Sequence, residues 1–209
     1  DGPAHNSNQP TLTFGCRGIA TCSITTYGSK LPQHSGHYGN YVSNPVFSLS
    51  RLLTSMKFDD GKVLIKDYYK GININKAVSN ILNSVPDSTI DINNSLLIHK
   101  AESVGENYQE ALQYPTLNVR QIGTSWKGEG LKTIIPEYAT ANIDVRLVVE
   151  TDGELQLEKI KKQIEIAPQI VATDEDLESD VVYDDENPQV ELVTEIEEIK
   201  VSTSNPLSQ

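Results

Sequence analysis

Alternation of apolar and polar residues predicts two strands in this 209-residue chain, each with one buried face. In residues 18–27, Ala20, Cys22 and Ile24 fall on one face, and hydroxyl-bearing residues fall on the other. Residues 138–149 alternate almost without error. Their inward-facing positions are Ala139, Ala141, Ile143, Val145, Leu147 and Val149. Both segments are therefore predicted to lay one face on a core.

Two longer helices are predicted from apolar residues that recur every three or four positions. Asn44 is placed to cap the first helix, with Pro45 at its first position. The apolar stripe of that helix comprises Val46, Leu49, Leu52, Leu53 and Met56. The second helix is predicted over residues 154–166, with acidic residues in its first turns, where they suit the helix dipole.

The remaining segments complete a recognisable order of elements. Residues 115–122 and 189–199 are predicted to be further strands, residues 57–114 an insertion, and residues 167–188 an acidic loop. The order strand, helix, strand, strand, helix, strand predicts an α+β, ferredoxin-like βαββαβ two-layer sandwich. Its four-stranded antiparallel sheet would carry two helices on one face. Such a fold does not by itself indicate a function.

Charge narrows the choice of partners. The chain has 17 basic and 29 acidic residues and a formal net charge of −12, which argues against nucleic acid. Residues 174–198 hold twelve of the acids and no Lys or Arg, so the remainder is balanced. This acidic stretch is either a solvated loop with the outer face of a strand or a weak site for a cation or a basic partner.

Other features bear on location and processing. No run approaches the roughly 20 apolar residues that span a membrane, so no membrane partner is expected. The chain opens on Asp1 rather than Met, which we interpret as a processed or excised piece. Cys16 and Cys22 are expected to be reduced core residues of a cytoplasmic protein.

Two groups of residues are candidates for chemistry. His34 and His37 lie in the glycine-bearing loop QHSGHYGNYVSNP, where they are either functional or merely exposed. Arg146 lies on the polar face of the best strand. It either pairs with an acid such as Glu195 across the sheet or clamps a carboxylate, and spacing alone does not decide.

Two further segments carry a resemblance to a known family. The first contains HSGHYGN, and the second runs PTLNVRQIGTSWKGEGLKTIIPEYATANIDVRLV. Together they cover most of residues 9–149. In this order they resemble the dimerisation (lid) domain of zinc metallopeptidases of the carnosinase, aminoacylase and succinyl-diaminopimelate desuccinylase type. The resemblance implies a catalytic-domain segment at 1–9, a lid at 10–200 and a return to the catalytic domain at 201–209.

The same resemblance implies how the whole enzyme works. Lids of this family pair edge to edge into a homodimer and cap the enzyme's own catalytic domain, which holds two zinc ions. His34 would reach the partner's active site and stabilise the oxyanion formed on a peptide or N-acyl amide substrate. Thr133 and Arg146 would hold the terminal carboxylate of the substrate.

The metal centre is where the match is least complete. Asp1 lies nine positions before Pro10, as does a metal ligand in the family, so Asp1 is either that ligand or an ordinary terminal acid. The family's other ligands and its general base have no counterpart here. One carboxylate does not hold a catalytic zinc. The chain is therefore predicted to be inactive alone, as part of a dinuclear-metal hydrolase.

Two hypotheses from other classes remain open. In the first hypothesis, the chain is a stand-alone homodimerising module without catalytic activity, since ferredoxin-like domains can pair by their sheet edges. In the second hypothesis, the chain is a metal-free domain that binds a carboxylate through Arg146. The set of His34, Thr133 and Arg146 favours the peptidase lid, because a pure scaffold does not need all three residues.

Overall fold

The computed structural model describes residues 15–128, 130–172 and 200–202. Its strands are β1 (Gly18–Tyr27), β2 (Gln33–His34), β3 (Asn118–Thr124), β4 (Ile134–Ile135), β5 (Tyr138–Leu147) and β6 (Lys200–Ser202). Its helices are α1 (Ser35–Tyr38), α2 (Pro45–Met56), α3 (Lys76–Asn83), α4 (Thr89–Leu96), α5 (Tyr108–Ala111) and α6 (Gly153–Ala172).

The main sheet has the order β3-β5-β1-β6 and is antiparallel throughout. β1 and β5 pair over their full lengths, from Gly18 opposite Leu147 to Tyr27 opposite Tyr138. The α+β prediction with an antiparallel sheet is confirmed. The complete four-stranded ferredoxin-like sandwich is not, because the sheet rests on three long strands and the predicted strand 189–199 lies outside the described residues.

The core lies between the sheet and the two long helices, α2 and α6. The predicted inward faces of the strands are buried at Ala20, Cys22, Ile24, Ala139, Ala141, Ile143, Val145 and Leu147. From α2, Leu49, Leu52 and Met56 join them. Val149 does not, since the strand ends at Leu147 and Val149 is 99% exposed. Its predicted place in the strand is wrong.

The capping prediction for α2 is confirmed, because the Asn44 side chain accepts a hydrogen bond from the amide of Val46 at 2.9 Å. The buried hydroxyl of Thr26 donates to the carbonyl oxygen of Pro45 at 2.8 Å. This bond ties the start of the helix to the end of β1. Strand and helix are therefore held at a fixed angle where the chain leaves the sheet.

The insertion is fastened to the core by a buried tyrosine. Tyr68 is 1% exposed, and its hydroxyl donates to the carbonyl oxygen of Thr116 at 2.9 Å. The side chain of Gln156, from α6, donates to the carbonyl oxygen of Tyr68 at 3.0 Å. Burial raises the pKa of Tyr68, so the phenol keeps its proton. The insertion is thus part of the same folded unit.

Two sequence predictions concern the edges of the fold. Cys22 is buried as expected, but Cys16 precedes β1 and is exposed, so its expected place in the core is wrong. The acidic stretch 174–198 lies outside the described residues. Within the described part of the chain, no helix is both long and apolar enough to cross a membrane.

Candidate functional site

His34 is held by a pair of very short strands. In β2 and β4, Gln33 lies opposite Ile135 and His34 opposite Ile134. The amide of Ser35 donates to the carbonyl oxygen of Thr133 at 3.0 Å and extends this pairing by one step. As a result, His34 Nε2 lies 3.3 Å from Thr133 Oγ1. Both side chains are exposed, so they are available to a ligand or to another chain.

The backbone selects the tautomer of His34. Its Nδ1 accepts a hydrogen bond from the amide of Gly36 at 3.0 Å. A neutral imidazole that accepts at Nδ1 carries its proton on Nε2. A Cβ at residue 36 would lie 2.9 Å from the His34 ring, so glycine is needed for this approach. His34 thus presents an Nε2–H donor at the surface beside Thr133.

His37 lies against the same imidazole. The ring centroids of His34 and His37 are 4.9 Å apart, and the ring planes are tilted by 49°. No hydrogen bond joins the two rings within the described structure. His37 therefore packs against the His34 ring without using its donor.

Arg146 on the polar face of β5 is oriented by an acid of its own strand, Asp144. Its Nε lies 3.7 Å from Asp144 Oδ2, whereas Glu195 lies outside the described residues. Asp144 is 5% exposed and accepts a hydrogen bond from Asn118 Nδ2 at 2.9 Å. Arg120 Nε is 3.9 Å from the same carboxylate. Asp144 thus orients Arg146 while leaving its guanidinium half-exposed.

Sequence reasoning missed Arg17, which lies next to Arg146. Ile19 pairs with Arg146, and Arg17 is two positions before Ile19, on the same face of the sheet. Burial lowers the pKa of Arg17, and the charge of Arg146 lowers it further, while Tyr108 acts in the opposite direction. The alternation of β1, extended backwards by one residue, is the signal that places Arg17 on this face.

The surface of the sheet around Arg146, near the end of β5, has an excess of positive charge. Arg120 and Arg146 flank Asp144, and Arg17 lies close enough to Arg146 for their charges to interact. In a chain with a net charge of −12, such an excess is local and favours an anionic ligand. A guanidinium that is half-exposed and already oriented suits a carboxylate, which it can bind through two parallel hydrogen bonds.

The structure brings together two of the expected site residues and separates the third. His34 and Thr133 lie beside β4, just before β5 begins at Tyr138. Arg146 is eight residues further along β5, or about 26 Å at the usual rise per residue. One subunit therefore does not bring Arg146 to the His34–Thr133 pair.

A metal centre does not form within the described residues. No group of three or more His, Cys, Asp or Glu side chains there is arranged to hold an ion. Asp1, the residue proposed as a ligand, lies outside the described residues. The described residues therefore do not fit a catalytic metal, and what they offer are hydrogen-bond donors and cations.

A family model described as the peptidase dimerisation domain matches residues 14–169. The chain belongs to this family of peptidase dimerisation domains. The donors and cations described above therefore lie on a domain whose family pairs subunits.

Curated relatives include the Cys-Gly metallodipeptidase dug1 of Schizosaccharomyces pombe, 27% identical over 168 residues, which cover 76% of this chain and 34% of the relative. The Beta-Ala-His dipeptidase of Mus musculus is 24% identical, with 77% of this chain and 33% of the relative covered. The chain thus spans about a third of the length of these relatives. The names of these relatives describe a metallodipeptidase and a dipeptidase.

Solved structures agree on the fold. Human carnosine dipeptidase 1 superposes with a TM-score of 0.67 at 20% identity, covering 79% of this chain and 36% of that chain. An M20 family metallo-carboxypeptidase from Sulfolobus solfataricus gives a TM-score of 0.65 at 23% identity, covering 78% of this chain and 43% of that chain. At such identity these likenesses establish the fold alone.

Proposed function

We propose that this chain is the lid and dimerisation domain of a metal-dependent hydrolase that cleaves dipeptides or N-acyl amino acids. The observation that carries the proposal is that the His34–Thr133 pair lies before the start of β5, whereas Arg146 lies near the far end of that strand, about 26 Å from its first residue. A dimerisation domain that bears two halves of a polar site at opposite ends has a reason to pair. Each active site would take one half from each subunit.

Pairing through β3 would bring the two halves to the same end. β3 is an edge strand of the sheet, and Val119 and Ile122 on it are 37% and 56% exposed. A two-fold axis normal to the sheet would pair β3 with its copy in antiparallel fashion. The His34 end of one subunit would then lie beside the Arg146 end of the other, with about 14 Å between the two β5 strands.

His34 is proposed to act in the partner's active site. Its Nε2–H is exposed and oriented by Gly36, and in the free subunit it donates to Thr133 Oγ1 over a long 3.3 Å contact, which an oxyanion would replace. Donors of this kind contribute about 3 kcal/mol to the transition state in comparable hydrolases. Thr133 would enter the same site from the same subunit and hold the substrate near that donor.

Arg146 is proposed to bind the terminal carboxylate of the substrate within its own subunit's site. Asp144 orients the guanidinium, and the surrounding excess of positive charge lowers the cost of binding an anion. Thr133 of one subunit and Arg146 of the other would thus together hold the terminal carboxylate of a short substrate. Dipeptides and N-acyl amino acids share the required carboxylate.

Further parts of the proposal concern the whole protein. We propose residues 10–200 as the lid and two zinc ions in the rest of the enzyme, with Asp1 as one ligand. The pairing of β6 with β1 supports a ferredoxin-like sandwich with a fourth strand. The free thiols of Cys16 and Cys22 fit a cytoplasmic location.

Mixed dimers test the sharing of sites. Subunits of the whole protein that carry His34→Ala are combined with subunits that carry Arg146→Ala, each inactive by itself. In a mixed dimer, one site would lack both residues and the other would have both, so about half the normal activity per mixed dimer is expected. Inactive mixtures of proven mixed dimers would show that the two residues act within one subunit or not at all.

A further inference from the structure

A cavity of about 360 Å³ lies beneath the insertion. Its wall is mainly apolar and includes Val63, Tyr69, Ile92, Leu96, Val104 and Leu112. This volume is within the range of small-molecule sites and exceeds that of any single side chain. The cavity is therefore large enough for the side chain of a ligand that is held at its rim.

Arg17 lies on the wall of this cavity. Lys57, which also lines it, is neutralised by Glu102 at 2.7 Å. No carboxylate forms an ion pair with Arg17 within the described part of the chain. The cavity thus combines an apolar interior with a cation whose charge remains available, which suits an apolar group attached to an anion.

The cavity adjoins Arg146 through a shared residue. Thr116 lines the cavity, its Oγ1 accepts a hydrogen bond from the amide of Arg146 at 3.1 Å, and its own amide donates to the carbonyl oxygen of Arg146 at 3.1 Å. Arg17, which immediately precedes β1, lies near Arg146 from the side of that strand. A carboxylate bound by both guanidinium groups would therefore lie at the rim of the cavity.

We propose that this cavity receives the side chain of the substrate's carboxyl-terminal residue, while Arg17 joins Arg146 in binding that residue's carboxylate. In an amino acid the carboxylate and the side chain leave the same Cα, so a carboxylate at the rim directs the side chain inward. The class of substrate is then a dipeptide or N-acyl amino acid that ends in an apolar residue. The inference rests on the proposed function, since it takes Arg146 as the carboxylate ligand.

Steady-state kinetics of the whole dimeric protein test the cavity. Ala-Leu is expected to have a kcat/KM at least about 10-fold above that of Ala-Gly, because the leucine side chain leaves water for an apolar pocket. The variant Val104→Phe fills part of the cavity, so it should lower kcat/KM for Ala-Leu about 10-fold more than for Ala-Gly. Ala77→Phe, on the exposed face of α3, is the matched control and should change neither value.

Val104→Ala is the second variant, and it keeps the test informative if Val104→Phe does not fold. It enlarges the cavity and should shift preference from Ala-Leu towards Ala-Trp. If both variants change Ala-Leu, Ala-Gly and Ala-Trp by equal factors, the cavity does not receive the side chain and the inference is wrong.

The variant Arg17→Met tests whether Arg17 binds the substrate's carboxylate together with Arg146. The wild-type protein should prefer Ala-Leu over its C-terminal amide, and this preference should fall about 10-fold in the variant, through KM rather than kcat. An unchanged preference would overturn the role of Arg17. The proposed function fails differently: neither dipeptide would be hydrolysed by the wild-type protein, or Arg146→Ala would leave hydrolysis intact.

Discussion

Thr133 Oγ1 lies 3.3 Å from His34 Nε2, although the two residues are 99 positions apart in the chain. The contact depends on β2 and β4, which have two residues each. Because so short a pair has little stability of its own, it relies on the β5 strand that follows it and on the bond between Ser35 and Thr133. The geometry of the proposed oxyanion donor is therefore coupled to the start of β5.

Replacing His34 by Ala in the whole protein should lower kcat by about 100- to 1,000-fold and leave KM nearly unchanged, because the lost donor acts on the transition state. Metal content and the unfolding midpoint should stay as in the wild type. His37→Ala is the matched control, since its ring touches that of His34 without a hydrogen bond. Full activity of the His34 variant would remove this residue from catalysis.

Asp144→Asn should raise KM about 10-fold with little change in kcat, because Arg146 loses the carboxylate that orients it. The unfolding free energy should fall by about 1–3 kcal/mol, since the Asn118 bond weakens and the neighbouring guanidinium groups lose their counter-charge. Asp152→Asn at the exposed start of α6 is the control. An unchanged KM would mean that Asp144 serves stability only.

For β1 and α2, the pattern of apolar, polar and capping residues was sufficient to predict where the element begins. β1 begins and ends where the alternation of residues 18–27 predicts, because every second side chain is buried. α2 begins at Pro45 because Asn44 caps it. By contrast, α4 contains no buried residue, so no apolar stripe indicates it. β5 ends at Leu147 since Val148 and Thr151 form a turn, which alternation alone does not reveal.

The sequence supplied the candidate site residues but not their arrangement. His34 and Thr133 came from the family resemblance, and their contact depends on strands too short to show any periodicity. The sequence left open whether Arg146 pairs with an acid across the sheet or binds a carboxylate, and it did not indicate Asp144, which lies two positions away on the same strand face. Arg17 was missed because its proposed role depends on a neighbouring strand and on the insertion, which no local pattern relates to it.

The two cysteines should differ in reactivity. Cys16 is exposed, whereas burial raises the pKa of the Cys22 thiol from 9.0 to about 11. Iodoacetamide at neutral pH should therefore modify Cys16 in the folded protein and Cys22 only after unfolding. Mass spectrometry of the labelled peptides measures this. Equal labelling rates in the native state would contradict the burial of Cys22.

The same shift predicts how stability depends on alkaline pH. Between pH 9.0 and about 11 the unfolded chain releases the thiol proton of Cys22 while the folded chain keeps it. The unfolding free energy should therefore fall as pH rises, by at most about 1.4 kcal/mol per pH unit from this group. Urea titrations of the wild type and of Cys22→Ala should show a shallower decline in the variant. Parallel curves would refute the assignment.

Thr26→Val should lower the unfolding free energy by about 1–2 kcal/mol, because the variant keeps the shape of the side chain but loses the buried donor to Pro45. The start of α2 should also show faster amide exchange. Thr54→Val is the control, since its hydroxyl bonds within an exposed part of α2. A cost no greater than that of the control would show that the bond does not anchor the helix.

The separation of His34 from Arg146 has a further consequence for how activity depends on enzyme concentration. A centre completed by two chains vanishes when they separate, so specific activity should decline on dilution and return on concentration. At low concentration the rate would become second order in subunits. The free edge of β3 would then be a place for inhibition by ligands that resemble a strand rather than a substrate.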